Sequence, residues 1–169
     1  IWSPTVTGTP RSRPLLYKGL LYFGTGSGWL YKLGATTGAV LWQLELCNGL
    51  GESNMFGRVL RESVPTTPVI VNDTFYFGSN FGAVIAVDLP NRDVEWITYY
   101  PVSPIPRSLG LELKWRAQRW GPNPLIHHKG KLLLAATDSP QLLALSADSG
   151  ALVWKCQRKP TEKYLLGAQ

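Results

Sequence analysis

Sulfur is scarce in this chain of 169 residues: one Met and two Cys, Cys47 and Cys156. Two cysteines so far apart exclude a disulfide-stapled miniprotein and any cysteine-based metal spacing, and leave open two buried thiols or one disulfide. No apolar run approaches the ~18 residues that suggest a membrane-spanning helix. Acidic residues are few, 11 against 17 Lys and Arg, for a net charge of +6. None of the carboxylates forms a calcium loop with Asp or Asn at alternate positions. Helical periodicity is nearly absent, and Leu109–Arg119 is the one candidate for a short helix. The chain opens at Ile1 without Met or a signal-peptide pattern, so the natural N-terminus is expected elsewhere.

What remains is turn punctuation and aromatic residues. Gly (17) and Pro (13) separate short apolar runs, and Trp and Tyr number seven each. That mixture suits an all-β chain. The clearest unit is Thr67–Trp96, where Pro68–Val71, Thr74–Gly78, Ala83–Asp88 and Val94–Thr98 read as four strands. Its turns are Asn72-Asp73, Gly78–Gly82 and Leu89–Arg92.

Two further stretches copy it. Pro14–Trp42 aligns with Pro68–Trp96 without a gap, Gly24 falling on Gly78 and Gly28 on Gly82. Pro124–Trp154 is a third copy, two residues longer than the others. The first copy predicts strands at Pro14–Tyr17, Leu20–Gly24, Trp29–Leu33 and Val40–Glu45. The third predicts Leu125–His128, Leu132–Ala136, Leu142–Ser146 and Leu152–Cys156. Four-stranded meanders repeated at such a period read as blades of a β-propeller. The expected fold is therefore all-β, an incomplete propeller of about three four-stranded antiparallel blades, forming one partial domain over residues 1–169. Its parts are an edge strand at 1–6 and blades at 14–45, 67–99 and 124–156. Because each blade needs neighbours to cover its faces, the segment alone is expected to associate or be poorly soluble.

The closing stretch of each copy carries a resemblance. Lys32–Trp42 (KLGATTGAVLW), Ala86–Trp96 (AVDLPNRDVEW) and Ala144–Trp154 (ALSADSGALVW) approximate Ala-x-Asp-x-x-x-Gly-x-x-x-Trp. Together with the preceding LLYFG or TFYFG strand, this resembles the tryptophan-docking repeat of quinoprotein (pyrroloquinoline quinone) alcohol dehydrogenase-like propellers. The resemblance implies that Trp42, Trp96 and Trp154 pack between blades, with Ala86, Asp88, Ala144, Gly38 and Gly150 as structural docking positions. A Trp there supplies a flat apolar face and one N–H donor. The departures are Lys32 for Ala, Gly34 and Ser146 for Asp, and Arg92-Asp93 for Thr-Gly. They lead us to expect an imperfect docking network, most of all in the first blade.

For function the resemblance implies two classes. One is a non-catalytic propeller that binds a protein or small ligand through its inter-blade loops, as outer-membrane assembly lipoproteins and lumenal stress sensors with similar repeats do. The other is part of a quinone-dependent alcohol or sugar dehydrogenase, with pyrroloquinoline quinone and calcium as cofactors. The vicinal Cys pair such enzymes would bring is missing from this chain, and Glu52, Asn54, Trp115 and Trp120 are the nearest candidates for a cofactor site, beside the plainer reading of ordinary loop residues. No residue is assigned to catalysis or to a metal. Partners implied are the remaining blades of the same propeller and a protein or small-molecule ligand, in a periplasmic, extracellular or lumenal setting.

Function is then expected where the copies differ, in the spacers Gln43–Thr67 and Ile97–Asn123. The second carries Arg107, Lys114, Arg116 and Arg119, candidates for gripping an acidic partner. Nucleic acid is not expected, since no nucleic-acid fold signature accompanies the charge. His127-His128 cannot chelate one ion together, because neighbours on a strand point to opposite faces. Gly24–Gly28 imitates a phosphate loop but lacks the Lys and the helix. Asn72-Asp73-Thr74 is a formal glycosylation acceptor on a hairpin tip.

Overall fold

A computed structural model describes residues 2–10, 12–45, 66–79, 82–103, 125–136 and 138–159. Every regular element among them is a strand. The strands are β1 (Leu15–Tyr17), β2 (Leu20–Gly24), β3 (Trp29–Gly34), β4 (Val40–Glu45), β5 (Val69–Val71) and β6 (Thr74–Gly78). They continue as β7 (Ala83–Asp88), β8 (Asp93–Tyr99), β9 (Ile126–His128), β10 (Lys131–Leu134), β11 (Gln141–Ser146) and β12 (Leu152–Gln157). They form three antiparallel meanders, β1 to β4, β5 to β8 and β9 to β12, each a four-stranded sheet in sequence order. The chain divides into two compact units, Ile1–Pro65 with the first sheet and Thr66–Gln169 with the other two.

The first hairpin of every sheet has the same construction. Lys18-Gly19, Asn72-Asp73 and Lys129-Gly130 all have positive φ, 49° and 73°, 49° and 66°, 46° and 71°. Two left-handed residues in a two-residue loop match the twist of the flanking strands, hence Gly or Asn-Asp at these positions. The last hairpin of each sheet is also shared. Gly38 and Gly150 have φ of 70° and 69°, and Arg92 occupies the same place with φ 66°. In each, the turn amide returns to the strand before it: Gly38 N to Gly34 O, Arg92 N to Asp88 O, Gly150 N to Ser146 O, at 2.8–2.9 Å. The second sheet forms the turn without glycine by using Asp88, whose Oδ1 accepts from Asn91 N at 3.2 Å. A side chain at φ 66° costs about 1–3 kcal/mol, and Gly would give back part of that in unfolded-chain entropy. Arg92→Gly is therefore expected to raise the stability of the intact protein by up to about 1 kcal/mol. A later denaturation midpoint checks it; an earlier one would mean that the Arg92 side chain contributes more than its backbone costs.

A β-bulge recurs beside each docking Trp. The register shifts between Lys32 and Leu33, between Ala86 and Val87, and between Ala144 and Leu145, leaving Leu41, Glu95 and Val153 as the extra residues on the outer strands. Trp42, Trp96 and Trp154 therefore pair across from Lys32, Ala86 and Ala144. A small residue opposite the indole leaves room for it. In the first sheet the Lys32 ammonium instead leans over the Tyr22 ring, 6.0 Å from its centre.

Residues 2–6, within the expected edge strand at 1–6, pair with no strand among the described residues; Thr7 N donates to Tyr31 Oη at 2.8 Å, and the chain joins the first sheet at the Pro10–Thr25 bridge. The third copy is also offset by one residue from the alignment on Pro124. The interval from Asn72 to Lys129, between first hairpin turns, exceeds that from Pro68 to Pro124 by one residue, and the interval from Arg92 to Gly150, between last turns, exceeds it by one more. One of the two extra residues of the third copy thus precedes Lys129, and the other lengthens the loop between β10 and β11. The candidate helix Leu109–Arg119 lies outside the described residues.

In the second unit the core lies between the two sheets. Tyr76, Val84 and Ala86 of one sheet meet Leu132, Leu134, Leu143 and Leu145 of the other, joined by Tyr100, Leu125, Ala136 and Ala147. The first strands approach each other, and Leu125 N reaches Thr67 O at 3.5 Å. Strand β7 is buried on both sides, so Ile85 and Val87 are hidden as fully as Val84 and Ala86. In the first unit Phe23, Tyr31 and Leu33 form the core, with Val6, Leu21 and Trp29 packed around them.

Candidate functional site

The two sheets of the second unit are fastened together at both ends, by different chemistry. At the hairpin end the fastener is Trp96. Its ring lies on Gly150, its Nε1–H donates to Ala147 O at 3.0 Å, and Thr98 Oγ1 donates to Gly150 O at 2.7 Å. A Cβ on Gly150 would lie 2.5 Å from Trp96 Cε3 and closer still to Thr98 Oγ1. Gly150 is thus required both by its φ and by the indole. The same contact is made within the first unit, where the Trp2 ring lies on Gly38 and fills the space a Cβ would need. Each docking glycine therefore receives the Trp that precedes its own blade. Trp154 is 40% exposed, and Trp42 is half-buried.

At the opposite end lies a buried polar cluster that the repeat comparison does not reveal. The β6–β7 loop, the segment after β8 and the β10–β11 loop meet there. Asp138, 1% exposed, accepts from Gly82 N through Oδ2 and meets Tyr100 Oη through Oδ1, both at 3.0 Å. Tyr100 Oη also lies 2.5 Å from Ser79 O. Ser103 N donates to the Asp138 carbonyl at 2.8 Å. Burial above all, with Asp138 beside it, pushes the Tyr100 hydroxyl well above the ordinary tyrosine range, so the phenol stays protonated. From behind, Arg158 grips the loop carrying Asp138. Its guanidinium donates to the carbonyls of Ala135 (3.2 Å), Ala136 (3.1 Å) and Ser139 (2.8 Å).

Strand direction decides what this end is for. In an antiparallel meander, the second loop and the two chain exits share one end. The spacer after the second blade therefore leaves at Ser103 and re-enters at Leu125 beside the Asp138 cluster. That spacer carries Arg107, Lys114, Arg116 and Arg119, which lie outside the described residues, as do Glu52, Asn54, Trp115, Trp120 and Cys47. Cys156 is a free thiol exposed on β12. His127 and His128 are successive residues of β9, paired with Leu132 and Lys131. Asn72 is exposed in its hairpin turn. The Gly24–Gly28 stretch is the loop between β2 and β3, where Gly28 N donates to Thr25 O at 3.0 Å. Among the described residues no group of three or more His, Cys, Asp and Glu converges on one point.

Sequence reasoning found the Trp fastener and missed the polar one. One sign was available, since Asp138 sits in the loop that the third copy lengthens. A second missed feature is a repeated hydroxyl. Ser12 Oγ accepts from Gly24 N at 2.8 Å and Thr66 Oγ1 from Gly78 N at 2.9 Å, at the same place in two blades.

Four-stranded meanders, each bulged at its docking Trp, with Trp96 joining the second to the glycine turn of the third, define a class: the PQQ-like β-propeller, of which the described residues hold three blades. A family model described as outer membrane protein assembly factor BamB matches residues 2–106, and the chain belongs to that family. Among solved structures, BamB from Moraxella catarrhalis is similar with a TM-score of 0.62 at 18% identity, over 90% of this chain and 39% of that one. The quinohemoprotein alcohol dehydrogenase ADHIIG from Pseudomonas putida HK5 matches with a TM-score of 0.63 at 12% identity, over 90% of this chain and 21% of that one. The Comamonas testosteroni quinohemoprotein alcohol dehydrogenase gives 0.59 at 15% identity, over 89% and 21%. The chain spans about two fifths of the length of the BamB structure and one fifth of the dehydrogenases. No curated protein sequence matches it significantly. Among the described residues no helix is long and apolar enough to cross a membrane.

Proposed function

We propose that this segment serves a non-catalytic propeller that captures a protein partner through the spacers between its blades. The observation that carries this reading is the attachment of the Arg107–Arg119 spacer. It springs from, and returns to, an end of the second unit where two blades are locked by buried hydrogen bonds. A rigid base carrying a basic connection is the arrangement a docking loop needs. Kinship with a family described as an outer membrane protein assembly factor supports a partner that is itself a protein, in the periplasm or outside the cell. Further blades are partners too. Trp2 and Trp96 each cover the glycine turn of the following blade, so the exposed Trp154 is left for a following blade to receive.

Charge reversal tests the spacer. In the intact protein, Arg116→Glu with Arg119→Glu is expected to weaken capture of an acidic protein partner tenfold or more, with the loss concentrated in association rate and reduced at high salt. Unchanged capture at low salt would remove the spacer from the reading. The intact protein should also leave an artificial electron acceptor unreduced when given calcium, pyrroloquinoline quinone and an alcohol. Dye reduction would instead favour the quinone-dependent dehydrogenase that the two quinohemoprotein structures represent.

A further inference from the structure

The outer strands β4, β8 and β12 can be compared place by place, because each pairs with its inner neighbour through the same bulge. On the face opposite the docking Trp, β4 sets Val40, Gln43 and Glu45 across from Leu33, Tyr31 and Trp29. Strand β12 sets Leu152, Lys155 and Gln157 across from Leu145, Leu143 and Gln141. Strand β8 sets Val94, Ile97 and Tyr99 across from Val87, Ile85 and Ala83. The first place is apolar in every blade. The second and third are polar in the first and third blades and apolar in the second. In the third sheet, whose preceding neighbour is in place within the same unit, all of β12 is exposed, which suits Lys155 and Gln157. Yet in β8 Ile97 is 45% exposed and Tyr99 71%, with Val94 exposed beside them.

Single apolar side chains on a surface need no explanation. Three along one face of one strand, where the sister strands turn polar, do. Packing does not supply one, since Trp96 and Thr98 on the other face make the bonds to the third blade. Strand β8 also ends its sheet, so its far edge pairs with no strand among the described residues. Its bulge and its carboxylates, Asp93 and Glu95, lie at its start. Trp96–Tyr99 is left as a regular, uncharged edge with neither Pro nor Lys to blunt it.

We propose that the Trp96–Tyr99 edge of β8 is a docking strip for an extended segment of a partner protein, which adds to the sheet as a fifth strand. The main chain of that segment bonds the free edge, and its alternate apolar side chains lie on Ile97 and Tyr99. A tyrosine suits this role, giving a broad apolar face and a hydroxyl at low entropic cost. Charge defines the rest of the occupant. Beyond Tyr99 the chain runs into the connection that carries Arg107, Lys114, Arg116 and Arg119 against Glu112 alone. The incoming segment therefore has acidic residues next to its apolar ones. The strip itself is β8 alone. This inference rests on the partner-capturing reading above and names the chemistry of the partner.

The probe is a fluorescent synthetic peptide of alternating Val and Thr followed by a run of Glu, titrated into the intact protein. In the control peptide two adjacent central residues are Pro, which removes a backbone donor on either edge. Wild type is expected to bind the first peptide at least tenfold more tightly than the second. Ile97→Lys with Tyr99→Gln gives β8 the pair that the third blade carries. It adds positive charge, so capture by charge alone would hold or tighten, whereas loss of the strip weakens binding tenfold or more. The melting temperature should stay at the wild-type value, because both side chains are exposed; a clear drop would make them part of the core and overturn the proposal. Arg116→Glu with Arg119→Glu separates this inference from the reading it rests on. Weakening by that pair but not by I97K/Y99Q would keep the spacer and overturn the strip, and the reverse would keep the strip and remove the spacer. The strip is also overturned if wild type binds neither peptide, or if the Pro peptide binds equally well. A wild-type dimer in sedimentation that I97K/Y99Q abolishes, with no peptide bound, would make a second copy the occupant instead.

Discussion

Replacing Gly150 by Ala is expected to cost the intact protein at least about 2 kcal/mol. Two independent penalties add. A non-glycine residue at φ 69° pays about 1–3 kcal/mol for the left-handed backbone. The new methyl must also displace the Trp96 indole, 2.5 Å away, or the Thr98 hydroxyl, closer still; overpacking of this kind costs a further ~1–3 kcal/mol. Neither neighbour gives easily, because Trp96 Nε1 is bonded to Ala147 O and Thr98 Oγ1 to Gly150 O. The comparison residue is Gly130, with φ 71° and nothing within 4 Å of a Cβ. Gly130→Ala should cost the backbone share alone. Equilibrium denaturation of both variants separates the terms: equal losses would show that the indole yields freely, and that Trp96 is less firmly seated than its contacts indicate.

Much of the blade architecture is legible because it is periodic. A Trp recurring at Trp42, Trp96 and Trp154, with Gly38 and Gly150 at the same distance before the first and the last, reflects a physical unit that must present the same face to each neighbour. Departures from the pattern leave the shape of the last turn unchanged where a different residue performs the same local task. Arg92 takes the positive φ of the glycine, and Asp88 ties the turn through Asn91. Thr37 and Ser149 accept from Ala39 N and Ala151 N in the turns of the first and third blades. Such substitutions are invisible to a residue-by-residue match, since the blades share the conformation and not the chemistry.

The polar fastener was hidden for the opposite reason. Tyr100 and Asp138 have no counterpart in the other copies, and one stands near the start of the Ile97–Asn123 spacer while the other lies beyond its end. No period marks them, and neither residue type in isolation distinguishes a buried pair from two solvated side chains. Only the antiparallel path, which brings the second loop of each sheet and both spacer ends to one edge, puts them together. The offset of one residue in the third copy has the same origin. A Pro at the blade entrance is a weak anchor compared with the two-residue turns Asn72-Asp73 and Lys129-Gly130, whose backbone conformation allows no slippage.

Trp96→Ala is expected to destabilise the intact protein by about 3–5 kcal/mol, in the range for removal of a large packed aromatic. The indole joins Tyr76 of its own blade, 6.0 Å away between ring centres, to the Ala147–Gly150 turn of the next. Its loss opens the seam between two sheets and strands the Ala147 carbonyl. Trp154→Ala in the same chain supplies the contrast. Among the described residues that indole has no following glycine turn to cover and remains 40% exposed, so its removal tests whether a following blade is present in the intact protein. A loss similar to that of Trp96 would place one there, and a loss under about 1 kcal/mol would not. The double variant Trp96→Ala with Gly150→Ala completes the test. Without the indole, the methyl on Gly150 keeps its backbone penalty but meets little else than Thr98. The two losses should then fall short of additivity by about 1 kcal/mol or more, as expected of side chains in direct contact. Strict additivity would mean that the indole does not bear on the glycine, and the fastening of blade to blade would have to be sought at the Asp138 end alone.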